Sequence, residues 1–220
     1  WCTVQNSGVF CFDASGKIIA HPQSPAGTCI IYKDRRGDYW ISNGSALYSY
    51  NPHTGTYQQK LTFTSAGIYC MTDDAQGNLY ISVYSKGLYI YNVGSGKVTV
   101  LNMQQRGNRG FLCNDWVRSM ALDHTGHLWI GTSNGVSCLN TRTLSFKDFG
   151  WHNILKDRQA NGICEGKNGD IIIGTEEGLY LFDRKSNKTK NFPHAEALKG
   201  KQVCSIIKDR KGDLWVSTTM

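Results

Sequence analysis

The sequence has few charged residues, few prolines and no long apolar segment. Of its 220 residues, 19% are charged and 4 are proline, whereas disordered tails and coiled coils contain far more charge. No apolar run approaches the roughly 20 residues that a membrane-spanning helix needs, and no targeting signal is recognisable. The start at Trp1 and the strand-like run that ends at Met220 lead us to expect a piece of a longer protein.

A continuous basic segment is also missing, although the formal net charge is +7. Nucleic-acid binding needs a basic stripe, often with stacking aromatic residues. Here the basic residues are scattered through turns, such as those at 33–36 and 208–211. We therefore expect solvated turn charges and no nucleic-acid partner.

What the sequence does contain is glycine and aromatic residues in a repeating pattern. It has 24 Gly and 11% aromatic residues, and four segments share an Asp, a Gly three residues later and an aromatic residue three further on. A fifth copy has lost both the Asp and the aromatic residue. Trp1 falls in the same register one period earlier, so the period averages about 43 residues. The copies are Asp34–Ser42, Asp74–Ser82, Asp123–Thr132, Asp209–Thr218 and the degenerate Gly166–Thr175.

A second block follows the first five copies at a fixed offset, as in Gly87–Asn92 and Gly178–Asp183. Each period then holds four strand-length segments separated by short turns. Four antiparallel strands repeated every 40 to 49 residues are typical of β-propeller blades. We predict an all-β propeller region over 1–220, with Trp40, Trp129 and Trp215 in equivalent buried positions. Its parts are a partial blade at 1–20, repeats around 27–61, 67–101, 116–149 and 160–192, and a partial blade at 202–220.

The pattern Asp-x-x-Gly-x-Leu-Trp-Ile-Gly-Thr-x-x-Gly-Val/Leu resembles the two-component regulator propeller repeat. Asp123–Val136 matches it nearly completely, while Ser42, Ser82 and Ser217 stand where the pattern has Gly. The resemblance implies the periplasmic sensor part of a hybrid two-component system from polysaccharide-degrading gut bacteria. In such proteins two seven-bladed propellers precede an immunoglobulin-like domain, a membrane helix and a cytoplasmic kinase. It also implies neighbouring propeller and kinase domains as partners, and an oligosaccharide ligand.

The sequence is compatible with two arrangements of the blades, a closed five-bladed ring or part of a larger propeller. Val203–Lys208 would complete the blade begun by residues 1–20 in a five-bladed ring, but Leu214–Ser217 would then duplicate Trp1–Val4. We favour five periods of a larger, seven-bladed propeller. Exposed blade edges in such an arc predict self-association, including a homodimer.

The eight cysteines contain no Cys-x-x-Cys pair, which excludes a zinc ribbon or a thioredoxin motif. Most lie among apolar strand residues, so burial is favoured over disulfides or metal binding. Cys29, Cys70 and Cys204 precede the repeat aromatic by 11, 10 and 11 residues. We expect all three on innermost strands, reduced and inaccessible, and we expect no cofactor or metal.

Ligand binding is expected where the repeat is broken. Because strands alternate in direction, the loops between blades share a face with the turns between the second and third strands. The Asp-x-x-Gly turns lie on the opposite face. Residues 102–116 hold an insertion of about six residues, and 150–160 is also irregular. Aromatic, planar polar and charged side chains there have the composition of a carbohydrate platform, although the Trp residues would also serve to plug the blades. The candidates are Arg106, Arg109, Asn114, Asp115, Trp116, Trp151, His152 and Arg158.

Catalytic motifs are missing. Glu176 and Glu177 are adjacent, which does not give the geometry of a two-carboxylate glycosidase, and the six His show no metal-ligand spacing. The favoured function is therefore a non-catalytic, ligand-sensing propeller. A propeller lyase or hydrolase acting on carbohydrate and a protein-binding propeller stay as alternatives.

Overall fold

The computed structural model describes residues 1–4, 7–27, 30–64, 67–104, 111–147 and 155–219. Within these ranges the chain forms antiparallel sheets whose strands follow one another in sequence order. Four sheets have four strands, the first has three and the last has two. The only helix in these ranges is a single 3₁₀ turn at Glu196–Leu198. The all-β prediction is confirmed.

The strands, sheet by sheet, are β1 (Cys2–Val4), β2 (Gly8–Phe12) and β3 (Ile18–Ala20); β4 (Ile30–Lys33), β5 (Tyr39–Ser42), β6 (Ala46–Asn51) and β7 (Thr56–Thr62); β8 (Ile68–Asp73), β9 (Asn78–Val83), β10 (Gly87–Asn92) and β11 (Val98–Leu101); β12 (Val117–Leu122), β13 (His127–Thr132), β14 (Gly135–Asn140) and β15 (Ser145–Lys147); β16 (Ala160–Glu165), β17 (Ile171–Thr175), β18 (Gly178–Asp183) and β19 (Lys188–Asn191); β20 (Val203–Lys208) and β21 (Leu214–Thr218).

The sheets stand side by side as propeller blades. The first strand of each blade lies beside the first strand of the next, so β8 contacts β12, β12 contacts β16 and β16 contacts β20. β20 pairs with β21, and β1 pairs with β2. The described strands thus form an arc of blades, and β20 does not complete the blade that contains β1.

The Asp-x-x-Gly turn explains why Asp and the aromatic residue recur together. Gly126 has a φ of 81°, a conformation that glycine adopts without strain. One oxygen of Asp123 accepts the amides of Thr125 (2.8 Å) and His127 (3.0 Å). Its other oxygen accepts the Trp129 indole N–H at 2.6 Å. The repeat aromatic is therefore a hydrogen-bond donor to the turn as well as a filler between blades.

The same bond recurs in every copy that keeps both residues. The Trp40 indole donates to Asp34 at 2.9 Å, and the Tyr80 hydroxyl donates to Asp74 at 2.7 Å. The degenerate copy has Gly166 and Ile172, so it has lost acceptor and donor together. Asp and aromatic residue thus behave as one unit of the repeat.

The predicted burial of the three tryptophans is correct for two of them. Trp40 and Trp129 are 1% exposed, because each lies between two blades. The prediction is wrong for Trp215, which is 66% exposed. One side of the β20–β21 sheet packs against β16 and β17, and no described sheet covers the side that carries Trp215.

The cysteine prediction needs a similar correction. Cys70 lies on β8 and Cys204 on β20, both innermost strands, as expected. Burial raises the pKa of Cys70 to about 12. Cys204, however, is exposed, so it is not inaccessible. Cys29 lies outside the described residues.

Thiol labelling should separate these cysteines. We expect Cys204 to react quickly with a maleimide in the native protein, since its thiol is exposed. Cys138 should react slowly, because it is fully buried and burial raises its pKa to about 12. Mass spectrometry of tryptic peptides after brief labelling gives the site of modification. Equal labelling of Cys138 and Cys204 would contradict the burial described here.

Side-chain hydrogen bonds join neighbouring blades at the start of three first strands, β12, β16 and β20. Ser82 Oγ donates to the carbonyl of Val117 at 2.6 Å, and Ser119 Oγ donates to the carbonyl of Ala160 at 2.9 Å. In the next blade, Asn161 Nδ2 donates to the carbonyl of Val203 at 2.9 Å. The carbonyl at the equivalent position of each of these three blades is therefore satisfied by a side chain from a different position of the repeat.

Candidate functional site

The described parts of the segments between blades lie on one face of the arc, which we call the loop face. The amide of Gly87 donates to the carbonyl of Asp115 at 3.0 Å, and the amide of Ser133 donates to the carbonyl of Trp116 at 3.0 Å. Gly135 N–H donates to the carbonyl of Arg158 at 2.7 Å. These bonds fasten the inter-blade segments to turns between second and third strands. The predicted sharing of one face by these two sets of segments is confirmed.

The first strand of each described blade from β8 to β20 is irregular at its loop-face end. Register shifts leave an extra residue after Val117 in β12, after Ala160 in β16 and after Val203 in β20, and a similar irregularity follows Ile68 in β8. A β-bulge re-aims a side chain and is common beside functional sites. We call the residues at these positions the inner rim. They are Tyr69, Arg118, Asn161 and Cys204.

Three aromatic side chains meet at this rim. Trp116 lies with its ring centre 4.9 Å from that of Tyr84 and 6.1 Å from that of Tyr69, in edge-to-face geometry. Tyr69 and Tyr84 stack on each other at 5.9 Å. Tyr69 is 49% exposed and Tyr84 is 39% exposed, while Trp116 is partly buried beneath them. The two tyrosines thus present an aromatic surface to solvent, and Trp116 supports it.

Arg118 extends this surface along the rim. Its guanidinium carbon lies 4.9 Å from the centre of the Trp116 ring. Its Nε donates to Asn161 Oδ1 at 2.6 Å, and its Nη1 donates to Ser133 Oγ at 3.4 Å. The guanidinium is therefore held in one orientation by neutral groups of its own blade and the next.

Of the predicted site residues, Trp116 belongs to this surface, and its neighbours in sequence have structural partners. Asn114 Oδ1 accepts the amide of Trp116 at 2.8 Å. Asp115 Oδ1 accepts the amide of Met103 at 2.7 Å. Both side chains thus shape the loop that delivers Trp116 to the rim.

Arg158 lies away from the aromatic surface. It forms an ion pair with Glu177, which raises its pKa, and its guanidinium lies 5.7 Å from the centre of the Tyr180 ring. The remaining predicted site residues lie outside the described residues, and their role stays a prediction. They are Arg106, Arg109, Trp151 and His152.

The sequence interpretation missed Tyr69, Tyr84, Arg118 and Asn161, which complete the surface around Trp116. A signal was present. Tyr69, Arg118 and Asn161 all stand eleven residues before the repeat aromatic position. When the repeats are aligned, the residue at this position differs from copy to copy. Cys204 occupies the same position in the last copy.

No group of three or more His, Cys, Asp or Glu side chains in the described ranges is arranged to hold a metal ion. None of the helices found there has the length and apolar character of a membrane span.

Comparison with protein families identifies the repeat. A family model described as the two-component regulator propeller matches residues 112–134 and 197–220. These segments are two-component regulator propeller repeats. The first of them contains the Asp123 turn and Trp116, so the rim's central aromatic residue lies within a repeat of this family. No curated protein is significantly similar to the chain in sequence.

Solved structures share the fold. The extracellular domain of a B. thetaiotaomicron protein described as a hybrid two-component system is 21% identical, with a TM-score of 0.71 over 87% of this chain and 27% of that one. PorZ of Porphyromonas gingivalis, a surface component of the type-IX secretion system, is 18% identical, with a TM-score of 0.74 over 97% of this chain and 35% of that one. Virginiamycin B lyase from Staphylococcus aureus is 14% identical, with a TM-score of 0.72 over 96% of this chain and 71% of that one. The chain therefore spans only about a third of the first two proteins, and the three have different functions.

Proposed function

We propose that the chain is part of the ligand-sensing propeller region of a periplasmic hybrid two-component regulator. In this proposal it binds an oligosaccharide without chemical turnover, and a kinase outside the chain receives the signal. The regulator propeller repeats support the class of protein. The similar extracellular domain from B. thetaiotaomicron supports the location outside the cytoplasm.

The observation that carries the proposal is the exposed pair formed by Tyr69 of the inner rim and Tyr84 of the adjacent turn. Tyr69 and Tyr84 are 49% and 39% exposed although both are large aromatic residues. Aromatic faces stack on the CH groups of sugar rings, and a phenol hydroxyl adds a hydrogen bond. Neither tyrosine belongs to the repeat pattern, so blade packing alone does not require them.

Substituting Tyr69 tests the binding surface. We expect Tyr69→Ala in the intact protein to weaken binding of the recognised oligosaccharide about ten- to a hundredfold, because a stacked ring and a hydrogen bond are lost. Phe12→Ala is the matched control, since Phe12 is similarly exposed (41%) and lies at the end of β2 on the opposite face. Isothermal titration calorimetry against a panel of plant and host glycans gives both affinities. If Tyr69→Ala binds as tightly as the parent, the rim is not the binding site.

The same glycan panel separates sensing from catalysis. We expect binding with no release of shorter products over a day, which chromatography of the mixture would detect. Product release by the parent protein would instead support a propeller enzyme, to which the similarity in fold with virginiamycin B lyase gives only weak support.

A further inference from the structure

The guanidinium of Arg118 differs from those of the other half-buried arginines. Three described arginines are partly buried, and two of them are paired with carboxylates: Arg158 with Glu177, and Arg184 with Asp123. Arg118 has no carboxylate within ion-pair distance among the described residues. Partial burial of a cation without an acidic partner costs free energy of desolvation. Binding of an external anion to such a cation is therefore favoured.

Three described carboxylates of the loop face have partners other than Arg118. Asp115 Oδ1 accepts the amide of Met103 at 2.7 Å, and Glu176 Oε2 accepts the amide of Gln159 at 2.6 Å. Glu177 is paired with Arg158. None of these three carboxylates forms an ion pair with Arg118.

The geometry of Arg118 suits an incoming acid. Asn161 Oδ1 and Ser133 Oγ accept hydrogen bonds from its Nε and Nη1, and these two bonds fix the plane of the guanidinium. Its Nη2 has no hydrogen-bond partner among the described residues. The guanidinium also lies over the Trp116 ring, which contacts both exposed tyrosines in edge-to-face geometry. A free N–H of a fixed guanidinium thus stands beside the exposed aromatic surface.

From this juxtaposition we infer that the inner rim recognises an acidic oligosaccharide, with Arg118 binding the carboxylate or sulfate of a sugar that stacks on Tyr69 and Tyr84. This inference rests on the proposed function, because it names the class of oligosaccharide for the same surface. Arg118 acts as the specificity-determining residue, and the tyrosines contribute binding that does not depend on the charge of the sugar. The formal net charge of +7 favours the approach of such a ligand.

The test compares acidic and neutral forms of one glycan. We expect the intact protein to bind an oligogalacturonide, or a sulfated oligosaccharide, about ten- to a hundredfold more tightly than the carboxyl-reduced or desulfated form. The uronic and sulfated arms distinguish the two kinds of anion. Arg118→Gln should abolish this preference, and Arg118→Lys should retain part of it. Arg142→Gln is the control, since Arg142 is an exposed arginine in the turn before β15 on the opposite face.

Each outcome has a defined meaning. Loss of the acid preference in Arg118→Gln, with binding of the neutral form unchanged, supports the inference. Equal binding of acidic and neutral forms by the parent, weakened by Tyr69→Ala, overturns the inference and leaves the proposed function standing. An acid preference that survives in Arg118→Gln also overturns it. Absence of any glycan binding overturns the proposed function itself.

Discussion

Replacing Asp123 with alanine is expected to lower the free energy of unfolding by about 3–5 kcal/mol, the range for removing one partner of a buried ion pair. The Asp123 side chain is fully buried and paired with Arg184 of the next blade. It also accepts the indole N–H of Trp129 and two turn amides. The substitution would leave these donors and the Arg184 guanidinium without their acceptor. Chemical denaturation of the intact protein, followed by tryptophan fluorescence, measures the change.

Asp123 should also make stability depend on acid. Burial by itself would raise its pKa, but the hydrogen bonds from His127, Trp129 and Thr125 and the charge of Arg184 outweigh burial and lower the pKa to about 2. Because the folded-state pKa lies below the unfolded value, the stabilisation is complete above about pH 4 and is lost as the pH falls towards 2. The difference between the parent and Asp123→Ala should therefore shrink below pH 4.

Asp209 provides the matched control for this prediction. It forms the same turn, and it accepts the indole of Trp215 at 3.2 Å, but that tryptophan is exposed. Asp209→Ala should cost much less than Asp123→Ala. Equal losses of stability in the two variants would show that burial between blades contributes nothing to the bond.

The coupling of Asp and aromatic residue also shows what the sequence can predict. Both are lost together at Gly166 and Ile172, so the dependence of one on the other is visible in the repeat alone. The strands, the turns and the shared loop face likewise follow from regular spacing and alternation. Each of these depends on contacts that recur in every blade.

The inner rim could not be predicted in this way, because its chemistry differs in every copy. Tyr69, Arg118 and Asn161 share an offset from the repeat aromatic, but their side chains have nothing in common. Alignment of the repeats with one another therefore shows no pattern at this position. Their contact depends on β-bulges, which add one residue to the strand and re-aim its side chain, and on the ring-wise packing of separate blades. The exposure of Trp215 and Cys204 was missed for a related reason: equivalent positions are equally buried only where a further blade covers them.

Gly131 gives the second large effect on stability. A Cβ at this position would lie 2.3 Å from Ser119 Oγ and 2.4 Å from the carbonyl oxygen of Ala160 in the next blade. Gly131→Ala should therefore push the two blades apart and break the bond between Ser119 and Ala160. We expect a loss of about 2–4 kcal/mol in the free energy of unfolding, measured by chemical denaturation. Gly166→Ala is the control, because its nearest contact would be an ordinary 3.4 Å.

The preceding blade indicates how this loss can be repaired. There Ser82 occupies the position of Gly131 and Cys70 occupies that of Ser119, and Ser82 makes the inter-blade bond to the Val117 carbonyl. The hydroxyl group has thus moved from the first strand to the second, while the backbone acceptor is the same. The double variant Ser119→Cys with Gly131→Ser reproduces that arrangement, so it should recover at least half of the stability lost in Gly131→Ala. A double variant no more stable than Gly131→Ala would mean that the two blades use different backbone spacings. In that case, the transfer of a hydroxyl group from the first strand to the second would not explain why Ser82 stands at the position of Gly131.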